Sequence, residues 1–379
     1  MMSLSRRDFT ASAAAAAAGA ALAPRRAAFA EAPSRNPLPR WRGFNLLNFF
    51  QAFDKGERGQ GDVREDDLRW IRDWGFDFIR LPLDYWLWVD SDWPRTRTLT
   101  PDDVCRIREP MLAKIDRAVD LCRKYGLHCN LNFHRAPGYC INNPDREPYV
   151  LWSDPRAEDA FAFHWDLFAK RYRAVPAKDL SFNLVNEAPA KKAGYMTGED
   201  YRRVMTRGLE AVRKHSPDRI VIIDGYGAGS EIVPEMVPSG VAQSVHTYWP
   251  ATISHYRASW VDRNGTFPEP AWPELHKDGS RKNGRPEMEK KYAPWGDLVR
   301  QGIGVHCGEC GCFNKTPHKV FLAWFTDMLE IIGSHGIGWS LWEFRGAFGI
   351  LDSGRSDVPY EDWQGHHLDR QLLELLRKH

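Results

Sequence analysis

Residues 180–190 read LSFNLVNEAPA. Leu180, Phe182, Leu184 and Val185 make a short apolar run of the length and type expected for a buried strand. Asn186 and Glu187 follow it, and Pro189 stops further strand pairing. A single strand ending in an amide and a carboxylate is an ordinary event. Its meaning depends on what the other strands carry at the same end.

Similar apolar runs recur along the chain: GFNLL at 43–47, FDFIRLPL at 76–83, HCNLNFH at 128–134, RIVIIDG at 219–225, AQSVHTY at 242–248, GIGVHCGE at 302–309 and GIGWSLWE at 336–343. Longer segments with helical spacing lie between them, at 111–125, 158–172, 200–215, 288–301 and 320–334. Gly126 and Gly336 close two of these helices just before strands. Eight strands alternating with helices predict a parallel sheet closed into a single (β/α)₈ TIM barrel. An open doubly wound sheet needs a glycine-rich turn after its first strand, and GFNLLNFF has none. No linker interrupts the chain after residue 36, and the one long irregular insertion is 249–286. Loops of that length are usually functional.

The 379 residues, 43% of them hydrophobic, can bury a large core. A net charge of +2 gives no field for nucleic acid, so no nucleic-acid partner is expected. The 16 tryptophans provide flat apolar faces of the kind that stack on sugar rings. The first 30 residues read as a cleavable export signal: charged start, Ala-rich middle and an Ala28-Phe29-Ala30 ending. Ser5-Arg6-Arg7-Asp8-Phe9 is of the twin-arginine type. The Ala-rich run from Ala11 to Ala23 is too short to span a bilayer. The expected product is residues 31–379 as one barrel domain, periplasmic or extracellular, without a membrane anchor.

Seven cysteines are too sparse for a disulfide scaffold, and an odd number leaves one unpaired in a monomer. His306, Cys307, Cys310 and Cys312 lie close together, but no second Cys/His pair follows at finger-like spacing. No metal is expected.

Read together, the strand ends carry Asn45, Arg80, His134, Asn186 with Glu187, His246 with Tyr248, Glu309, and Trp342 with Glu343. Each alone has a packing explanation. An inert barrel gains nothing from so many polar tips, each costing about 1–3 kcal/mol if left unpaired. Glu187 and Glu309 follow the fourth and seventh strands, whose ends face each other across a barrel mouth. Two facing carboxylates can flank a glycosidic bond, one as acid/base and one as nucleophile. Asn186 is placed to bond a sugar hydroxyl, and Arg80 and Tyr248 to keep Glu309 ionised.

These motifs resemble glycoside hydrolase family five, the cellulase-type retaining β-glycosidases of clan A, over essentially the whole chain after the signal. IRLP carries Arg80, NFHRAPG carries His134, LVNEAP carries Asn186 and Glu187, and VHTY carries His246 and Tyr248. HCGECG carries Glu309 and SLWEF carries Trp342. The resemblance implies Glu187 as acid/base, Glu309 as nucleophile, Trp342 at the floor next to the aglycone, and no cofactor. Cys307, Cys310 and Cys312 around the nucleophile are unusual for the family, and Glu343 adds a third carboxylate able to contact sugar.

The expected partner is an oligo- or polysaccharide, with β-glucan or β-gluco-oligosaccharides first and a monomeric enzyme. A β-mannosidase or another exo-β-glycosidase of the family is the alternative, and a catalytically inert carbohydrate-binding barrel is the rival from another class. Tyr85, Trp86, Trp88, Tyr139, Trp152 and Trp249 are candidate sugar platforms. The segments 135–156 and 249–286 are expected to wall the cleft, with Trp260, Asp262, Asn264 and Trp272 around Trp249.

Overall fold

In FIRLPLD and HCNLNFHR every second residue is apolar, and the residues between them are mostly polar. Strand side chains alternate between faces, so these sequences put one polar and one apolar surface on the sheet. In the computed structural model, which describes residues 36–52, 62–91, 100, 102–142 and 147–379, the sheet closes on itself. The expected export signal, residues 1–30, lies outside the described residues.

The barrel strands are β1 (Arg42–Asn45), β2 (Phe78–Asp84), β3 (His128–Arg135), β4 (Leu180–Asn183), β5 (Ile220–Asp224), β6 (Ala242–Thr247), β7 (Val305–Cys310) and β8 (Gly338–Leu341). They pair in parallel in chain order, and β8 closes onto β1. This is the (β/α)₈ barrel that the alternation predicts. Ile79, Leu81, Leu83, Leu131, Phe133 and Phe182 join the main apolar core with the helices. Burying each such side chain contributes about 1.5–3 kcal/mol. The other face of these strands carries Arg80, Asn130, Asn132 and Asn183, all buried.

The long helices are α1 (Glu65–Asp73), α2 (Glu109–Lys124), α3 (Pro155–Arg171), α4 (Gly198–Arg213), α5 (Arg285–Arg300), α6 (His318–Ser334) and α7 (Arg370–Lys378). Asp154 caps α3, and Thr197 with Asp200 forms a reciprocal capping box on α4. Between β5 and β6, Pro234 and Pro238 limit the chain to a 3₁₀ segment, Pro234–Ser239.

Three features differ from the sequence expectation. The fourth strand ends at Asn183, so Leu184 to Glu187 leave the ladder before the proline is reached. Helices α1 and α7 add to the helical segments read from the sequence. The 249–286 insertion carries regular structure of its own, with a helical turn at Ala251–Ser254 and a small hairpin of Glu274–Leu275 with Arg281–Asn283. Among the described residues no helix is long and apolar enough to cross a membrane.

Candidate active site

Strand register brings the polar tips together. Asn45 on β1 pairs with Arg80 on β2, and His246 on β6 pairs with Glu309 on β7. Arg80 is buried and spans the mouth. Its Nη1 donates to Glu309 Oε1 at 2.8 Å and to Asn45 Oδ1 at 3.0 Å, and its Nη2 donates to Asn186 Oδ1 at 2.7 Å. The Tyr248 hydroxyl donates to the other Glu309 oxygen at 3.1 Å. Both oxygens of Glu309 are therefore fixed by donors from different strands.

Glu187 stands opposite. Its Oε1 lies 2.9 Å from His246 Nδ1, and the same Nδ1 is 3.7 Å from Glu309 Oε2. His246 Nε2 lies 3.2 Å from Asp224 Oδ2. Gly229 makes this possible: with φ +73° it approaches so closely that a Cβ would meet the His246 ring at 2.7 Å. Burial alone would push His246 down, but the carboxylates of Glu309 and Asp224 beside it hold it well above its usual range. His246 is thus a cation held among carboxylates.

Arg80 and Tyr248 do not keep the Glu309 carboxyl low as expected: burial, with added repulsion from Glu187 and Asp224, raises it to about 7 against the pull of His246 and Arg80. Asp224 is also fully buried, which alone would raise it. The charges of His246 and Arg80, with the Glu187 amide, instead lower it to about 2. Tyr248 is pushed well above its usual value by burial and by Glu309, so it stays a hydroxyl donor.

The Glu187 backbone is unusual. Its φ is +48°, a left-handed conformation that costs a residue with a side chain about 1–3 kcal/mol unless its surroundings hold it. Three bonds do so. Glu187 N donates to Asp224 Oδ2 at 2.9 Å, Tyr139 Oη donates to the Glu187 carbonyl at 2.6 Å, and Asn186 N donates to Phe133 O at 2.9 Å.

Two buried polar atoms at the mouth have no partner among the described residues: Asn186 Nδ2 and His134 Nδ1. Arg80 takes the oxygen of the Asn186 amide, which leaves the NH₂ as a spare donor. His134 Nε2 faces Asn142 Oδ1 at 2.8 Å, so Nδ1 is the bare acceptor of a ring that burial lowers to about 3 and keeps neutral. The His134 ring stacks near Trp342, with Phe50 against both.

Of the residues singled out in the sequence, Arg80, Asn186, Glu187, His246, Tyr248 and Glu309 form one hydrogen-bonded network, with His134 and the half-buried Trp342 as a pair. Trp249 is half-buried against the core, its carbonyl bonded by Trp324 Nε1 at 3.1 Å. Glu343 is buried with its carboxylate packed over Gly346.

The expected platforms need correction. Tyr85, Trp86, Trp88, Tyr139 and Trp152 are buried and offer no free face. Tyr85 Oη and Trp86 Nε1 bond Glu147, and Trp88 Nε1 bonds His164. In the insertion, Trp272 bonds Asp327 on α6 and Asp262 organises a turn by accepting from Thr266 N, so neither walls a cleft. The residue that the sequence reading passed over is Asp224. It ends β5 in RIVIID, the one strand tip left out, and it contacts Glu187, His246 and Asn183.

Among the described residues, Glu187, His246 and Glu309 have donor atoms within 4.8 Å of one another, a spacing that a metal ion could use. The site already holds its own cations there, since Arg80 lies on Glu309 and His246 carries the positive charge between the carboxylates. The cysteine cluster is only partly dispersed, since the Cys307 and Cys310 thiols lie within hydrogen-bond reach of each other. His306 packs on Phe78, while Cys310 and Cys312 donate to the carbonyls of Ser340 and Ile253. Among the described residues no cysteine is part of a disulfide.

A parallel barrel with two carboxylates facing each other at its mouth defines a hydrolase of glycosidic bonds. The chain belongs to glycosyl hydrolase family 5, whose cellulase model matches residues 37–347. It is similar to Endoglucanase C of Acetivibrio thermocellus, 25% identical over 353 residues that cover 84% of this chain and 95% of the relative. Cellodextrinase A of Ruminococcus flavefaciens is 24% identical over 302 residues, covering 78% and 83%. A glycoside hydrolase crystal structure superposes with a TM-score of 0.81 at 39% identity, covering 89% of this chain and 99% of that one.

Proposed function

We propose that the protein is a retaining β-glycosidase acting on β-glucan or β-gluco-oligosaccharides. The observation that carries this reading is the short gap between Glu187 and Glu309, with one oxygen of each carboxylate within 4.8 Å of the other's. Retaining enzymes hold their carboxyl groups about 5–5.5 Å apart, whereas inverting ones leave about 6.5–9.5 Å for a water.

Glu309 attacks the anomeric carbon while the bond to the leaving oxygen breaks, and Glu187 gives that oxygen its proton. Water then attacks the glycosyl ester and passes a proton to Glu187, and Glu309 leaves as the carboxylate. Arg80 and Tyr248 hold the nucleophile in place. The spare Asn186 NH₂ and His134 Nδ1 bond sugar hydroxyls, and Trp342 and Trp249 line the sugar path, with Glu343 nearby. No cofactor enters these steps. The relatives named endoglucanase and cellodextrinase support a gluco-configured chain. The twin-arginine start supports export of residues 31–379 as a monomeric barrel.

The test is a panel of aryl β-glucosides, mannosides and xylosides with β-glucan and mannan, followed by trapping with a deoxyfluoro glucoside. Turnover of the glucosides with the label on Glu309 is expected. A label on Glu343 would reassign the nucleophile, faster mannosides would reassign the sugar, and no turnover at all would favour the inert binding barrel. Chelation with EDTA is expected to leave the rate unchanged.

A further inference from the structure

The β3–α3 loop carries a buried carboxylate that the reaction does not use. Glu147 accepts from Tyr85 Oη at 2.8 Å, from Trp86 Nε1 at 3.1 Å and from Gly138 N at 2.6 Å. Arg135 Nη1 lies 3.6 Å away as its counter-charge. Gly138 sits at φ +76°, and a Cβ there would come within 2.7 Å of Leu151 N, so the loop is closely packed at this point. The next residue is Tyr139. Its ring is buried edge-on against Trp152, and its hydroxyl reaches out of the loop to the carbonyl of Glu187 at 2.6 Å.

We propose that Tyr139 is a positioning residue for the acid/base step, with Glu147 as the anchor that holds Tyr139 in place. The inference rests on Glu187 acting as acid/base. Glu187 needs its left-handed backbone to aim its carboxylate toward His246 and across the mouth at Glu309. Asp224 fixes the amide side of that residue, and Tyr139 fixes the carbonyl side. Without the phenol, the peptide after Glu187 is free to rotate and the carboxylate loses its aim. Glu309 is held separately by Arg80 and Tyr248, so the nucleophile is unaffected.

Tyr139→Phe removes the hydroxyl and keeps the ring on Trp152. On aryl glucosides with poor leaving groups, kcat/KM is expected to fall about tenfold or more, part of the roughly 10²–10⁴-fold that a placed general acid supplies. On a dinitrophenyl glucoside, which needs no acid, kcat/KM should hold while kcat and KM fall together, because Glu187 also serves as base in the second step. Azide, which attacks without a base, should restore kcat.

A loss equal for all leaving groups, or none, would overturn the proposal. Should Tyr139→Phe fold poorly, Tyr85→Phe, which removes a donor from the Glu147 anchor, is expected to show the same leaving-group pattern in milder form, and a flat response would overturn it equally. Glu187→Ala run in parallel separates the two failures. If it shows the pattern and the Tyr139 variant does not, only the positioning role falls. If neither does, the acid/base assignment falls first.

Discussion

His128 and His306 lie near the starts of β3 and β7, and His246 lies near the end of β6. All three are buried in one barrel. At the entry end, His128 stacks on Trp41 with ring centres 3.8 Å apart, and His306 packs on Phe78 at 4.4 Å. Burial there pushes His128 down to about 4 and His306 to about 3, so both are neutral. At the exit end the same burial acts on His246, but Glu309 and Asp224 overcome it and the ring is held charged. What separates His246 from these two is thus the company of carboxylates and not the depth of burial, and His134, buried at the same mouth without a carboxylate beside it, is neutral as well. The aromatic end is built for stability and the ionic end for chemistry.

The contrast fixes opposite stability slopes. A histidine lowered by folding takes its proton only in the unfolded chain, so stability falls as pH drops below about 6.5 toward 4 for His128 and 3 for His306, each at about 1.4 kcal/mol per pH unit. His246 works the other way. Its stabilisation is present below the unfolded value and is lost as pH rises through its raised folded value.

The largest expected effect sets one end against the other. Glu187→Ala should lower kcat/KM on poor leaving groups by about 10²–10⁴-fold, far more than on dinitrophenyl glucosides, with partial rescue by azide. His306→Asn, at the opposite end, should leave kcat/KM within about threefold yet lower stability by about 1–3 kcal/mol in a denaturant titration. Comparable rate losses in both variants would break the division of the barrel into two ends.

A smaller effect sharpens the ionic end. As the proposed nucleophile Glu309 must be ionised, so kcat/KM on a dinitrophenyl glucoside should fall as pH drops below about 7, where Glu309 takes up its proton. Glu187→Gln removes a neighbouring negative charge and should move this acid limb to lower pH. His246→Asn removes a positive one and should move it higher. A limb that stays still in both variants would mean that another group sets it.

Much of this was legible in the sequence because strand alternation and strand order are local patterns. Eight apolar runs alternating with helical segments predict the barrel, and the polar groups at the strand ends place Arg80, Glu187, His246, Tyr248 and Glu309 at one mouth. Asp224 was equally legible as the tip of β5. Its role was not, because contact with Glu187 N and His246 Nε2 depends on register and on the backbone turn at Glu187. Helix α1 is less legible because EDDLRWIRD is only nine residues long and rests its face on three apolar residues, Leu68, Trp70 and Ile71. The loop aromatics misled for a different reason. A tryptophan in a loop reads the same whether it faces a sugar or closes over the core, and Trp86, Trp88 and Trp152 close over the core.

Trp260 in the 249–286 insertion is the exception, being 50% exposed, and it carries the smallest expected effect. Its ring meets Phe313 edge-on at 5.0 Å and lies 6.2 Å from His255 and 6.3 Å from Phe348. Tyr248, which bonds Glu309, contacts the same His255 and Phe348 at 4.9 and 6.2 Å. Trp260 is therefore linked ring by ring to Glu309 while keeping an open side, as a platform for a distant sugar requires. Such a platform cannot act on a substrate too short to reach it. Trp260→Ala should leave kcat/KM on an aryl glucoside within about twofold. On longer gluco-oligosaccharides it should lower kcat/KM by about twofold to tenfold, the worth of one ring contact of about 0.5–1.5 kcal/mol. A loss that is the same at every chain length would make Trp260 a brace for the insertion, and the platform reading would go with it.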